Sequence, residues 1–252
     1  MFEGIKRKKV LITGATGGLG TAMARLFAEH GARVGLHYQK NKKGAEELQK
    51  EIISKGGKAE MFQADLLDHA ARKKLIHSFL EKFDGIDVLI NNAGAVFDHV
   101  HFSEMEEGLF KNTFALNVDA PFFLSGSAFE YMKGHGGGRI INISSVNVKY
   151  GGSAKSLHYC AAKAALESLT VGFAREGAQY NILVNAIRCG YIDTPMRTKI
   201  AGYNEEDFQK RINLIPLKRM GKPLDIARMV LFLASECGDF ITKEIFTVAG
   251  GD

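Results

Sequence analysis

The chain reads as an α/β protein built on a doubly wound parallel sheet of about seven strands, with helices on both faces. Two observations carry that expectation. Short continuous apolar runs such as Val10-Leu11-Ile12 recur between amphipathic stretches of ten or more residues. Strands buried on both faces have this appearance, and their alternation with helical patterns indicates βαβ units and a parallel sheet. There is also no linker-like shift of composition, no low-complexity tract and no repeat in 252 residues, 46% of them hydrophobic. A single domain over 1–252 with a sizeable core is the economical organisation, and right-handed crossovers put helices on both faces.

Taken in order, 10–12 is the first strand, and Leu19, Ala22, Met23, Leu26 and Phe27 follow at helical spacing until Gly31. Strands are expected over 33–38, 58–63, 86–90, 139–143, 182–187 and 244–248. Helices are expected around 45–52, 75–83, 106–117 and 120–132, then through Ala162, Ala165, Leu166, Leu169 and Phe173, and last through Ile226, Met229, Val230 and Leu233. The polar segment 197–213 has weak support for either element and is read as a substrate lid.

Composition excludes several classes. No apolar run has the length of a membrane span, and nothing near the first residues resembles a secretory signal. The three cysteines, Cys160, Cys189 and Cys237, suit neither a disulfide framework nor a metal site, so the expected setting is cytoplasmic and no metal is expected. A net charge of +5 without a basic stripe interleaved with aromatics argues against nucleic acid.

Between the first strand and helix lies Thr13-Gly14-Ala15-Thr16-Gly17-Gly18-Leu19-Gly20. Glycine in a strand–turn–helix lets backbone N–H groups and the helix N-terminus approach a pyrophosphate, which makes the sheet Rossmann-type. An acid about twenty residues on would bind ribose hydroxyls and repel a 2′-phosphate. None occurs between Glu29 and Glu46; the second strand ends in Tyr38, Gln39 and Lys40, and Lys40 can pair with a phosphate. NADP(H) is therefore expected in preference to NAD(H).

Tyr159 and Lys163 stand at i and i+4 on a helix, so they share a face. A cation beside a phenol favours the phenolate. Bringing a phenol from about pH 10 to within reach of neutrality takes about 3–4 kcal/mol, which a partly desolvated cleft can supply, and it would make Tyr159 a general acid/base. His158 lies about 100° round the helix from Tyr159 and is expected to be solvated or hydrogen-bonded. His99 and His101 lack a partner at metal spacing, and Cys160 is expected to be a packing residue.

The glycine spacing resembles the signature of short-chain dehydrogenases/reductases, and other pieces fall in that family's order: Asn91-Asn92-Ala93-Gly94, Asn117, Ile143-Ser144-Ser145, Tyr159 with Lys163, and Gly190-Tyr191-Ile192-Asp193-Thr194. The resemblance implies that Tyr159 protonates a carbonyl oxygen as hydride arrives and that Ser145, in preference to Ser144, stabilises that oxygen. Lys163 then lowers the tyrosine pKa and holds the nicotinamide ribose, while Asn117 positions a water between Lys163 and solvent. It further implies that Asp65 and Leu66 flank the adenine and that Asn92, Ala93 and Gly94 line the adenosine ribose side. Ile192 and Thr194 would meet the nicotinamide carboxamide. Two features depart from the pattern: the 146–157 loop, with Lys149-Tyr150-Gly151-Gly152, is a residue or so longer than in many relatives, and Cys189 stands where proline is common.

Within the family the chain is most similar to 3-oxoacyl-(acyl-carrier-protein) reductases, in its length, its Asn91 turn and the stretch from Pro216 through Gly251. An acyl-thioester or other small carbonyl substrate is implied, with Arg139 and Arg175 as basic groups for a carrier. Sugar, polyol and cyclic-alcohol dehydrogenases share the same tail. A non-catalytic NADP-binding sensor is the reading from another class; it would be expected to lack one of Asn117, Ser145, Tyr159 and Lys163. The resemblance also implies a homotetramer or dimer, with Phe122-Phe123-Leu124 and 229–233 as contact segments.

Overall fold

The structure, a computed structural model, describes residues 2–195 and 205–252. Seven parallel strands form one sheet in the order β3-β2-β1-β4-β5-β6-β7. They are β1 (Lys9–Ile12), β2 (Arg33–Tyr38), β3 (Lys58–Gln63), β4 (Val88–Asn91), β5 (Gly138–Ser145), β6 (Ile182–Cys189) and β7 (Ile245–Val248). The helices between them are α1 (Gly18–Glu29), α2 (Lys42–Ser54), α3 (His69–Phe83), α4 (Glu107–Phe114), α5 (Ala120–Lys133), a short α6 (Asn147–Tyr150), α7 (Leu157–Gly177), α8 (Glu205–Leu214) and α9 (Pro223–Ala234).

The strand period of two sorts side chains between two cores. Val10 and Ile12, Val88 and Ile90, and Ile141 and Ile143 face the layer of α1, α2 and α9, where Met23, Phe27, Ile52, Ile226 and Val230 meet them. Leu11, Leu89, Ile140 and Val184 face the layer of α3, α5 and α7, among Leu75, Phe79, Leu124, Met132 and Ala174. Fully burying each such side chain contributes about 1.5–3 kcal/mol, and a one-residue slip would send each to the wrong face.

The strand order reverses between β1 and β4, which opens a crevice at their carboxyl ends. Thr13 ties the two strands there. Its N–H donates to Ile90 O at 3.0 Å, its hydroxyl donates to Ile90 O at 3.2 Å, and its Oγ1 accepts from the N–H groups of Asn92 at 2.9 Å and Ala93 at 3.0 Å.

Three elements differ from the sequence expectation. Between α4 and α5 the chain makes a π-helical stretch, Ala115–Asp119, in place of a break. The helix α6 forms within the 146–157 loop. Of the expected lid over 197–213, residues 197–204 lie outside the described residues, and the remainder is helical. Glu205, Glu206 and Asp207 stand in the first turn of α8, where acids favour the positive helix end, and Lys210 pairs with Glu206 at 2.8 Å. Charge placement, more than apolar periodicity, marks this helix. Among the described residues no helix is long and apolar enough to cross a membrane.

Candidate active site

The turn after β1 has to be glycine for steric reasons. Gly14 holds φ +64°, and a Cβ on Gly20 would stand 2.2 Å from Gly14 O. A Cβ on Gly18 would meet Thr194 Cγ2 at 2.8 Å, so the segment after β6 closes over the first turn of α1. That segment is itself pinned: Asp193 N–H donates to Gly221 O at 2.9 Å and Gly221 N–H to Tyr191 O at 3.0 Å. Of the expected nucleotide residues, Gly18 and Thr194 are thus brought together, whereas Leu19 and Ile192 pack against the core.

His37 supports the turn from below, and nothing in the sequence singled it out. It is buried; its Nδ1 accepts from Gly14 N–H at 3.0 Å and its Nε2 bonds Ala64 O at 3.1 Å. Because a carbonyl only accepts, Nε2 carries the proton and Nδ1 is free to accept, so the ring is neutral. Burial pulls its pKa down to about 4. Asn92 completes the support, donating from Nδ2 to Thr13 O at 2.8 Å and Gly14 O at 3.1 Å.

At the carboxyl end of β2 Tyr38 is buried, whereas Gln39 and Lys40 are exposed. Asp65 accepts from Leu67 N–H at 3.0 Å and Leu66 packs into the core, so the side chains of both have structural partners. The glycine cradle, with its exposed Gly17 helix cap, and the acid-free end of β2 fit a dinucleotide, including one with a 2′-phosphate.

The chemistry-bearing side chains meet where β5 ends and α7 begins. Ser145 stands beside the Tyr159 hydroxyl, near enough to act on its pKa, and its Oγ accepts from Asn147 N–H at 3.3 Å. Lys163 is buried and donates to Ile143 O at 2.8 Å; its Nζ lies 5.6 Å from the centre of the Tyr159 ring. Asn117, buried in the π-helical stretch, donates to Ala95 O and Thr113 O, each at 2.9 Å. Its Oδ1 is buried without a hydrogen-bond partner among the described residues. A Cβ on Gly94 would be 2.7 Å from that Oδ1 and 3.1 Å from Lys163 Nζ, so both groups converge above one glycine. An orphaned acceptor beside a buried amine has the makings of a water site.

In the protein alone the Tyr159 phenol is pushed in the direction opposite to the one expected of Lys163 with a cationic cofactor. Burial pushes the Tyr159 pKa up, and Ser145 acts against it without overcoming it. Burial pulls Lys163 down, to about 8. Lys163 is therefore not what sets the phenol in the protein alone: its ammonium is directed at Ile143 O, and desolvating a phenolate outweighs a cation at that distance.

Ser144, the rival serine, is buried and donates to Glu167 Oε1 at 2.7 Å, facing away from Tyr159. His158 is buried with Nε2 on Val96 O at 3.1 Å. Cys160 donates to Asn147 O at 3.2 Å, and burial raises the pKa of both Cys160 and Cys189. Among the described residues no group of three or more His, Cys, Asp and Glu is placed to hold a metal.

One expectation away from the centre, the carrier-facing arginines, is corrected. Arg139 is buried at the amino end of β5 and pairs with Asp239 at 2.6 Å. Arg175 lies 16 residues beyond Tyr159 on α7, roughly 24 Å along the axis. Neither borders the cleft, because both lie toward the amino ends of the strands, opposite the end where β5 meets α7. In the 229–233 segment, Val230, Leu231 and Leu233 belong to the core under α9; Leu124 is likewise core, while Phe122 and Phe123 are exposed.

Residues 14–252 match the family model described as Enoyl-(Acyl carrier protein) reductase. A 3alpha-hydroxysteroid dehydrogenase of Mediterraneibacter gnavus is 37% identical over 252 residues, 99% of this chain and 98% of that protein. A 3-oxoacyl-(acyl-carrier-protein) reductase of Thermotoga maritima is 34% identical over 247 residues, 98% of each chain. Among solved structures, a blue fluorescent protein from a metagenomic library in complex with NADPH superposes with a TM-score of 0.91 at 33% identity, covering 99% of each chain. Sheet order, whole-length similarity and the matched family model agree: the chain belongs to the short-chain dehydrogenase/reductase family and is an oxidoreductase.

Proposed function

We propose that the protein reduces a ketone to a secondary alcohol with NADPH, and that a 3-oxoacyl thioester is the substrate class its cleft suits best. The observation that carries the reaction is the convergence of Tyr159, beside Ser145, with buried Lys163 and the orphaned Asn117 Oδ1.

Gly14, Thr16, Gly17, Gly18, Leu19 and Gly20 would hold the pyrophosphate, with Tyr38, Gln39, Lys40, Asp65 and Leu66 around the adenosine. Asn92, Ala93 and Gly94 would line the ribose side, and Ile192 and Thr194 the carboxamide. The bound reduced nicotinamide supplies the hydride. Tyr159, kept protonated by burial, gives its proton to the carbonyl oxygen. Ser145 donates a hydrogen bond to the same oxygen as its charge develops. Lys163 holds the ribose and returns a proton to Tyr159, itself reprotonated from solvent through a water on Asn117 Oδ1.

The rim supports an apolar substrate over a sugar. Phe97, Phe102, Tyr150, Leu157, Leu214 and Leu217 are exposed on segments that follow β4, β5 and β6. Phe102 N–H donates to Ala154 O at 3.0 Å, which joins two of these segments. Leu217 shares a cavity of about 180 Å³ with Tyr191 and Ile192. Exposed Phe110, Phe122 and Phe123 on α4 and α5 support self-association through that face, which light scattering would read as a tetramer or dimer.

The test is NADPH oxidation with an acetoacetyl thioester, a 3-ketosteroid and a cyclic ketone, with NADP reduction by sugars and diols alongside. The highest kcat/KM is expected for the thioester, and NADPH should bind tighter than NADH. A sugar as best substrate would overturn the substrate class, and tighter binding of NADH would overturn the cofactor.

A further inference from the structure

Among the described residues, and outside the groups that the reaction uses, a charged cluster with a buried carboxylate stands at the catalytic end of the sheet. Glu167 on α7 is 5% exposed. Its Oε1 accepts from Ser144 Oγ–H at 2.7 Å and from Arg188 Nε at 2.8 Å, and its Oε2 accepts from Arg188 Nη2 at 2.6 Å. A carboxylate is buried only at a desolvation cost that excellent geometry must offset, and here a two-armed guanidinium and a hydroxyl supply it.

Each member stands next to a group that the reaction needs. Ser144 precedes Ser145. Glu167 lies one turn beyond Lys163, on the same face of α7. Arg188 precedes Cys189, whose carbonyl accepts from Val146 N–H at 2.9 Å, and leads into the Gly190–Ile192 turn over the nucleotide groove. We propose that Glu167 and Arg188 are positioning residues: their fork sets the height and rotation of α7 against β5 and β6, and so the contact of Tyr159 with Ser145. This rests on the reading of Tyr159 as proton donor.

Direction is what the fork adds. Apolar contacts between α7 and the sheet tolerate sliding, whereas a bidentate guanidinium–carboxylate pair holds only within a narrow range of distance and angle. One turn further along α7, Asn142 Nδ2 donates to Thr170 Oγ1 at 2.8 Å, a single neutral bond that leaves rotation open. Beyond the single bond of Lys163 itself to Ile143 O, the fork is, among the described residues, a two-point anchor of α7 one turn from the reacting groups. A misplacement of about 1 Å there costs on the order of 10²-fold in rate.

The experiment compares wild type with E167Q, R188K, the double variant E167L/R188M and Y159F. Melting temperature, NADPH Kd, and kcat and KM are measured on the best carbonyl substrate from pH 6 to 9, at a temperature where each variant is folded. E167Q should lose about 10–100-fold in kcat, with KM and NADPH Kd within about threefold and an unchanged pH profile. R188K, which keeps the charge and loses one arm, should fall between E167Q and wild type. The double variant replaces the pair by packed apolar groups and should regain the melting temperature without regaining kcat. Wild-type kcat in folded R188K or in the double variant, or a loss that follows only the folded fraction, would overturn the proposal and leave the cluster a stabilising one. Y159F reports separately: turnover retained there would sink the proton-donor reading whatever Glu167 does.

Discussion

The nucleotide turn and the substrate rim are held by opposite means. The turn is fixed by buried backbone and neutral polar groups: Thr13 bridges β1 and β4, His37 accepts from Gly14, and Asn92 braces two carbonyls. The rim is built of exposed side chains. Phe97 holds φ +63°, and charged contacts fasten the walls: Lys149 donates to Asp252 O at 2.9 Å, and Arg211 pairs with the Asp252 carboxylate. A side chain in the turn cannot change without unseating the strands, whereas one at the rim can change at little cost in stability.

Turn and rim meet at the catalytic centre, and the largest effect is expected there. Tyr159→Phe should lower kcat by about 10²–10⁴-fold, the range for a lost general acid, with NADPH Kd unchanged in a fluorescence titration. Substantial turnover would remove the link between the regions.

The turn's dependence on a neutral buried histidine has a pH signature. Unfolded His37 takes up a proton near pH 6.5, but in the folded protein only near pH 4. Its contribution is therefore complete above about pH 6.5 and is lost as the pH falls towards 4, on the order of 3 kcal/mol in all. His37→Gln can still accept from Gly14 and donate to Ala64, so denaturant titrations of that variant should show less of this loss. An equally steep fall in the variant would show that other groups carry the acid sensitivity.

The smallest effect should come from the rim. A non-glycine residue at φ +63° is strained by about 1–2 kcal/mol. Phe97→Gly should hold thermal stability within about 1 kcal/mol of wild type, as relief of strain offsets lost contacts, and leave NADPH Kd alone while raising KM for bulky ketones. A raised NADPH Kd would mean that rim and turn are coupled.

Where reading the sequence succeeded or failed follows the distance between interacting residues. The 33–38 and 58–63 strands, the glycine turn and the Tyr159/Lys163 pair were legible because each rests on neighbours within a few residues. His37 reaches Gly14 across 23 positions, and Ser144, Glu167 and Arg188 come from three separate elements, so no local pattern announces them. Arg139 reads as a surface cation until the sheet places it at the amino end of β5, under Asp239. The helix α8 had a legible signal in its charge placement, which apolar periodicity overlooks.

By itself, then, the sequence determined the alternation of strands and helices, the family and the order of its motifs, because these depend on local spacing and residue type. Tertiary structure alone decided the electrostatics and the alignment of the site. Whether Tyr159 is pushed up or down depends on how much water the fold removes from it, and that is set by strands and helices far apart in the chain. The same holds for Lys163, whose ammonium commits a hydrogen bond to Ile143 O because β5 passes beneath α7 at that height.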